Sequence, residues 1–306
     1  MTAFVVRRLG QAIVTILVVS VAVFGSLHLA PGDAATVIGG NEATEEQIQA
    51  IRERLGLDKP FHVQYLRWLR AVLMGDLGRS HRTNRAVAPD LFSAVIVSCQ
   101  LGTVALALAV LLGVPIGILA ALHRNSSLDL FVVSFSVAGM SIPGFWLALI
   151  LVLFLSLRLG LLPSSGWGTW RHAVLPSFVL ALPSLALFAR MTRATMAEAL
   201  LEDYVLAARA SGVPEREIIF VNALRNVLLP IVTIIGLRFG FVVAGAVITE
   251  TVFAIPGAGR LLVAGVSQRD FPVVQASVLV IAVAISLANL AVDVLYAYLD
   301  PRIRYD

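Results

Sequence analysis

The sequence has 306 residues, of which 58% are hydrophobic and only 14% are charged, with a mean hydropathy of +0.89 and a formal net charge of +4. Soluble domains carry about a quarter charged residues, so this composition excludes a soluble globular protein and indicates a membrane protein. The basic residues are mostly arginines near the ends of apolar runs, where positive charge orients a chain in the bilayer, so nucleic acid is not an expected partner.

The apolar runs predict an all-α, polytopic membrane protein with six transmembrane helices, because each run approaches or exceeds the roughly 20 apolar residues that a bilayer crossing needs. The predicted spans are 9–29, 97–122, 130–157, 174–190, 228–249 and 276–298. Pro115 predicts a bend in the second span, the segment 139–144 one in the third, and Pro176 with Pro183 one in the fourth. The fourth span is expected to lie inside the bundle. The first span is longer than the apolar core of a cleaved signal peptide, so we expect it to be retained.

The long segment between the first two spans predicts a small helical cap outside the membrane. Thr44 precedes Gln47 by three residues, which is the pattern of a capping box, and Gly56 is a plausible helix stop. A second apolar periodicity follows over 61–74. We therefore divide the chain into 1–96, the first span with its cap, and 97–306, a five-helix transmembrane domain.

Orientation follows from the arginines beside the spans. With the N-terminus inside, the inner side holds ten: Arg7, Arg8, Arg124, Arg190, Arg193, Arg209, Arg216, Arg225, Arg302 and Arg304. The short outer loops hold four: Arg158, Arg171, Arg260 and Arg269. The segment 30–96 carries eight more basic residues, but loops of this length cross the membrane largely regardless of charge. Both termini are therefore expected in the cytoplasm.

The cytoplasmic segment 191–227 predicts two helices joined by a tight turn. Gly212 suits the left-handed residue after a helix, Pro214 suits the start of the next one, and Glu215 lies where the helix dipole favours an anion. The tip has almost no side-chain bulk, which favours insertion into a groove of a partner. An ordinary surface connection between spans is the alternative.

At these residues the chain resembles the permease subunits of binding-protein-dependent ABC importers, in the dipeptide, oligopeptide, glutathione and nickel branch. The cytoplasmic EAA loop of that family is matched by Ala207, Ala208, Gly212, Leu229 and Pro230. Leu206 stands where the family has an acid, and the 18-residue step from glycine to proline is longer than usual. Further matches are Arg7-Arg8, Pro31-Gly32-Asp33, Gly75-Asp76-Leu77-Gly78, Glu250-Thr251-Val252-Phe253, Pro256-Gly257 and the terminal Asp300-Pro301-Arg302-Ile303-Arg304-Tyr305.

The resemblance implies a type I ABC importer fold and a multi-pass subunit of the bacterial cytoplasmic membrane. It also implies three partners: a second, homologous permease, two cytoplasmic ATPase domains and an extracytoplasmic solute-binding protein. The substrate would be a di- or oligopeptide, with glutathione or a nickel chelate as alternatives. The residues expected to couple the ATPases to transport are Asp203, Tyr204, Ala207, Ala208, Arg209, Ala210, Ser211, Gly212 and Glu215.

Two charged residues fall in or near the fifth span. Arg238 lies ten residues into that span, about 15 Å from its start, and is predicted to line the translocation path or to pair with a group of the second permease. Glu250 lies at the outer end, about 18 Å further along, and is predicted to anchor the following turn or to contact the gate. The glycines Gly236 and Gly240 flank Arg238 and permit close helix packing.

No enzymatic centre is predicted. Lys59 is the single lysine and precedes a proline, so the chain has no phosphate-binding loop of the Walker type, and ATP hydrolysis is expected in the partner subunits. Cys99 is the one cysteine and is expected to pack inertly, and the five histidines have no ligand spacing, so no cofactor or metal is expected. An ATPase-independent secondary transporter or channel is the competing class; it would show inverted repeats or a proton relay.

Overall fold

The computed structural model describes residues 2–29, 35, 36 and 43–299, and these residues are almost entirely helical. In chain order the helices are α1 (Thr2–Leu29), α2 (Glu45–Leu55), α3 (Phe61–Leu73), α4 (Val87–Leu122), α5 (Ser127–Ser141), α6 (Gly144–Leu151), α7 (Trp170–Ala199), α8 (Asp203–Ala210), α9 (Glu215–Glu217), α10 (Leu224–Val252), α11 (Ala258–Ser267) and α12 (Phe271–Leu299). π-Helical segments Val152–Arg158 and Ile218–Ala223 extend α6 and α9. The motifs Pro31-Gly32-Asp33 and Asp300 to Tyr305 lie outside the described residues.

Each of the six predicted spans coincides with helix in the structure. Four described stretches are long and apolar enough to cross a membrane alone: Val6–Ser26, Val87–Leu122, Trp170–Ala199 and Phe271–Val294. Two bent pairs pass the same test when each pair is taken as one span: Ser127–Ser141 with Gly144–Arg158, and Glu215–Leu228 with Pro230–Gly240. The all-α, multi-span prediction is therefore confirmed.

The predicted bend in the third span is confirmed and is sharp. α5 and α6 meet at 101°, and the break lies at Ile142 and Pro143, inside the predicted segment 139–144. Proline disfavours helical backbone in the residue before it, and Ile142 is accordingly extended at ψ 123°. The fifth span bends by 47° beside Pro230. Pro176 and Pro183 lie within α7, which continues as one helix through both, and the predicted bend there stays a prediction.

The chain forms two compact units, and the first contains Cys99–Ile255 with Met1–Val5 and Ala288–Asp306. α7 is its central helix, as expected for the fourth span. Gly113 and Gly117 of α4 bring its backbone so close to α7 that a Cβ on Gly117 would lie 2.5 Å from the carbonyl oxygen of Ala189. A Cβ on Gly139 of α5 would lie 3.1 Å from the Ala186 Cβ. Small residues thus allow α4 and α5 to pack tightly on α7.

The same unit holds the predicted close contact at Gly236. A Cβ on Gly236 of α10 would overlap the side chain of Val292 on α12, so any larger residue here would force the two helices or Val292 to move. The expectation for Cys99 was wrong in one respect, because its side chain is exposed on α4 and not packed into the protomer.

The second unit contains Val6–Ser98 and Pro256–Leu287. α2 begins with the predicted capping box: the Gln47 amide donates to the Thr44 hydroxyl, and the Thr44 amide donates to Gln47 Oε1. α2 ends at Gly56, which is left-handed at φ +69°. α3 packs on α1 through an aromatic cluster, with Phe24 at 5.3 to 5.6 Å from the rings of its three partners: Phe61, Tyr65 and Trp68. Both predicted cap helices are therefore confirmed as helices.

Candidate functional site

The turn between α8 and α9 closes with a defined hydrogen-bond pattern. The Gly212 amide donates to the Arg209 carbonyl at 3.0 Å, and the Val213 amide donates to the Ala208 carbonyl at 3.1 Å. With Gly212 left-handed at φ +77°, this is a Schellman motif, which satisfies carbonyls at the end of α8. The predicted glycine stop is therefore confirmed. Pro214 lies one position earlier than predicted, as the residue preceding α9, because α9 begins at Glu215.

An ion pair bridges this turn. Arg209 donates from Nη2 to Glu215 Oε1 at 2.6 Å and from Nε to Oε2 at 3.1 Å. The pair joins the last turn of α8 to the first turn of α9, and both side chains are exposed. Such an exposed pair adds little to stability, but its fork geometry holds the two helices in one relative orientation.

α8 is fixed to the protein by one side. Val205 is fully buried, and α8 packs there against the π-helical segment Ile218–Ala223. Ile218 of that segment is also fully buried, and π-helical turns occur frequently at functional sites. The segment therefore both carries the packing surface for α8 and leads into α10.

The rest of the α8 surface is exposed and carries both apolar and charged side chains, the latter from Asp203 and Arg209. Tyr204 is 39% exposed and Leu206 is 51% exposed, and between them and the turn lie the small residues of the tip. The predicted small, exposed residues are indeed at the surface: Ala207, Ala210, Ser211 and Gly212. A Cβ on Gly212 would meet nothing within 4 Å, so this chain leaves the space around the tip open. Exposed apolar side chains around a low-relief tip are typical of a surface that binds another protein.

A hydrophobic cluster connects this region to three long helices. Its buried members come from α4, α7, the π-helical segment and α10: Ala121, Met196, Ala197, Ile219, Ala223, Val227 and Ile231. Displacement of α8 would therefore act on the ends of α4, α7 and α10 together, because a close-packed interior transmits strain instead of absorbing it.

A partly buried ion pair, which the sequence reasoning missed, lies near the same end of α7. Arg193 of α7 donates from Nε to Asp129 Oδ1 at 2.8 Å and from Nη2 to Oδ2 at 2.7 Å. Asp129 is 4% exposed and also accepts from the backbone amide of Asn125 at 3.0 Å. Its signal in the sequence was a carboxylate in an apolar run, three residues after a good N-cap, Ser126, whose hydroxyl accepts from the Asp129 amide.

The structure places the two predicted path residues away from the turn. Arg238 is half-buried within α10, more than 20 residues beyond Glu215, whereas Glu250 is fully buried two residues before the end of α10. The Glu250 carbonyl accepts from the Ile255 amide at 2.8 Å, a main-chain bond at the end of α10. The role of the Glu250 side chain stays a prediction. An apolar cavity of about 180 Å³ lies between α4, α10 and α12, and Arg238 is not among its lining residues.

In the part of the chain that the structure describes, no three His, Cys, Asp or Glu side chains form a group able to hold a metal ion. The region around α8 offers instead an exposed surface and two ion pairs, Arg209–Glu215 and Arg193–Asp129. Such features suit binding to another protein.

Comparison with known proteins gives two family matches. Residues 113–305 match the family described as binding-protein-dependent transport system inner membrane component, and residues 1–95 match the N-terminal family of the same transport systems' membrane component. The glutathione transport system permease protein GsiC of Salmonella paratyphi A is 43% identical over 305 residues, and that of Escherichia coli strain K12 is 41% identical; each alignment covers 100% of both chains. A solved structure of the MetNI methionine ABC transporter superposes with a TM-score of 0.56 at 19% identity, covering 69% of this chain and 96% of that one.

Proposed function

The chain belongs to the family of inner membrane components of binding-protein-dependent transport systems, and from this premise we propose that it imports glutathione or a related short peptide, driven by partner ATPases that act on the turn at Gly212. The coarse function is that of an ABC importer permease with the type I fold, in the inner membrane with several spans. The substrate, the coupling residues and the orientation are the proposal.

The observation that carries the coupling proposal is the two-sided construction of α8. Val205 fixes one side to the π-helical segment, while Tyr204, Leu206 and the small tip face outward. A partner bound to the exposed surface of α8 would displace Val205 and the π-helical segment that contacts α8. Because the hydrophobic cluster behind it joins α4, α7 and α10, this movement would reach the spans and change which side of the membrane the path opens to.

The polar residues of the site have distinct expected roles. Arg209 and Glu215 stabilise the turn, and Asp203 lies in the first turn of α8, where the helix dipole stabilises its negative charge. Ser211 donates to the Ala207 carbonyl at 2.9 Å and helps to close the helix end. Ala208 and Ala210 supply the close backbone approach that larger side chains would prevent.

The substrate proposal rests on the relatives. The proteins that are 41 to 43% identical over their full length are glutathione permeases, which supports glutathione over other short peptides. Di- and oligopeptides remain the second candidate, since the chain carries the motifs of the whole peptide branch. Nickel chelates have less support than glutathione, because the relatives named above are glutathione permeases.

The chain contains no Walker-type loop, so we assign ATP hydrolysis to two partner ATPase domains. Membership of the family makes an external solute-binding protein and a second permease the other expected partners. With both termini in the cytoplasm, the turn faces the ATPases. This arrangement requires no cofactor on the chain itself.

Reconstitution of the complete assembly into proteoliposomes tests the proposal. We expect glutathione uptake that needs both internal ATP and the binding protein, with uptake of a dipeptide and a pentapeptide as the specificity panel. If the assembly takes up the dipeptide but not glutathione, a dipeptide replaces glutathione as the proposed substrate. Uptake that persists after omission of the ATPases would overturn the function and favour a secondary transporter or channel.

A further inference from the structure

A short hairpin before α4 carries a concentration of positive charge that membrane orientation does not explain. Three of the eight basic residues of the segment 30–96 lie in its seven residues 79–85: Arg79, Arg82 and Arg85. In the proposed orientation this segment is external, where arginine gives no advantage in topology. The concentration of arginines in this external hairpin therefore needs an explanation other than membrane orientation.

The hairpin is stabilised by hydrogen bonds within its own backbone and to the Ser80 hydroxyl. Arg79 and Ala86 form an antiparallel bridge, and the Ser80 amide donates to the Arg85 carbonyl at 2.9 Å. At the tip, the Thr83 amide donates to Ser80 Oγ at 3.0 Å. These bonds hold the backbone in one shape before any partner arrives, which reduces the entropy that binding would cost.

A buried carboxylate anchors the hairpin to the α11–α12 connection. Asp270, 4% exposed, accepts a 2.5 Å hydrogen bond from the Ser80 hydroxyl and a 3.1 Å bond from the His81 amide. Arg269, the residue before it, is exposed, so a fourth arginine flanks the anchor point. We call Arg79, Arg82, Arg85 and Arg269 the arginine patch.

The charge of the patch comes from its arginines alone. Burial lowers the pKa of the His81 imidazole, although the Asp270 carboxylate partly opposes this, so His81 is neutral at pH 7. All four guanidinium-bearing side chains are exposed, and within the described ranges none of them forms an ion pair with a carboxylate. Guanidinium groups bind carboxylates with a two-pronged geometry, so the patch suits an acidic protein surface.

The height of the patch favours a protein over lipid headgroups. α4 begins at Val87, directly after the hairpin, and its 36 residues to Leu122 are about 54 Å long. This exceeds the roughly 40 to 45 Å of a bilayer with its headgroups, and the apolar run predicted as the span begins only at residue 97.

We propose that the arginine patch is the surface on which the acidic face of the external solute-binding protein docks. The proposal rests on the proposed function, because it requires an importer whose segment 30–96 faces outward. Charged groups at the rim of an interface act chiefly on the association rate and its salt dependence. The patch therefore steers and orients the incoming binding protein.

The test is the association rate of the purified permease and ATPase assembly, in phosphatidylcholine nanodiscs, with its immobilised solute-binding protein. We expect the double variant Arg82→Glu with Arg85→Glu to associate about tenfold more slowly at about 50 mM salt, and the deficit to shrink at about 500 mM. The matched control is Arg67→Glu with Arg70→Glu on α3, which makes the same charge change in the same external segment. We expect this control to stay within about twofold of wild type.

A wild-type rate in the hairpin variant, or an equal deficit in the α3 control, would overturn the docking proposal. A deficit that appears only when anionic lipid is added to the nanodiscs would also overturn it and assign the patch to headgroups. If the wild-type assembly transports and the hairpin variant binds normally, the proposed function stands and only the docking surface falls. If the wild-type assembly neither binds the solute-binding protein nor transports, both proposals fall.

Discussion

Arg193 on α7 and Asp129 on α5 form a two-pronged ion pair with both nitrogen–oxygen distances below 2.9 Å, and the carboxylate is almost completely buried. The pair lies six residues before the end of α7, and α8 begins four residues after that end. It therefore fixes the start of α5 to the part of α7 that leads into the candidate coupling turn.

Removing one partner of this pair should destabilise the protein. We expect Arg193→Gln to cost about 2 kcal/mol, because it leaves the Asp129 carboxylate buried with fewer donors, and the cost is limited by the partial exposure of Arg193. The readout is the thermal midpoint of the purified assembly, lowered by about 5 °C. The matched control is Arg190→Gln, an exposed arginine one turn earlier on α7, which should leave the midpoint unchanged. Equal midpoints for the two variants would show that the pair contributes nothing.

Substitution of Gly212 should separate folding from coupling. In Gly212→Trp the left-handed backbone adds local strain of about 1 to 2 kcal/mol, but the side chain meets open space, so we expect normal insertion. The bulk would block a partner at the tip, and ATP-dependent uptake should be lost. The control is Gly160→Trp, which has the same left-handed backbone at φ +62° and the same open surroundings in a different loop. Wild-type uptake in Gly212→Trp would refute the role of the tip.

The Arg209–Glu215 pair that bridges the turn allows a test of the proposal that partner ATPases bind there. We expect Glu215→Gln to reduce the substrate transported per ATP hydrolysed while leaving the thermal midpoint unchanged, because both charges are exposed. Glu217→Gln, two residues further along α9, is the control and should have no effect on the ratio. The exchange of Arg209→Glu with Glu215→Arg keeps the pair but inverts the surface charge. Continued impairment in this exchange would assign the charges to the partner interface, whereas full recovery would restrict them to holding the turn.

Arg238 can be tested as a path residue in the same uptake assay. We expect Arg238→Gln to raise the apparent KM for an anionic substrate such as glutathione, because a cation within a span is expected to face a watery path or a partner charge. Arg238→Lys keeps the charge and should retain more of the affinity. An unaltered KM and rate in Arg238→Gln would remove the path hypothesis and leave the pairing role.

Much of the local structure was predictable because it depends on neighbouring residues. The capping box of Thr44 and Gln47, the left-handed Gly212 and the break at Pro143 each follow from backbone sterics and hydrogen bonds within a few positions. The spans follow from the length of apolar chain that a bilayer requires. The same reasoning placed the start of α9 at Pro214, one residue too early, because helix boundaries depend on the exact turn geometry.

The sequence by itself determined the class of the protein, the number and approximate limits of the spans and the presence of the turn between α8 and α9. Only the tertiary structure decided which residues distant in the chain meet: Asp129 with Arg193, Ser80 with Asp270, and Gly236 with Val292. These contacts join positions between 56 and 190 residues apart, and no local pattern encodes such a distance. The physical reason is that a span's composition specifies lipid or protein burial, whereas the choice of partner comes from the packing of all helices at once.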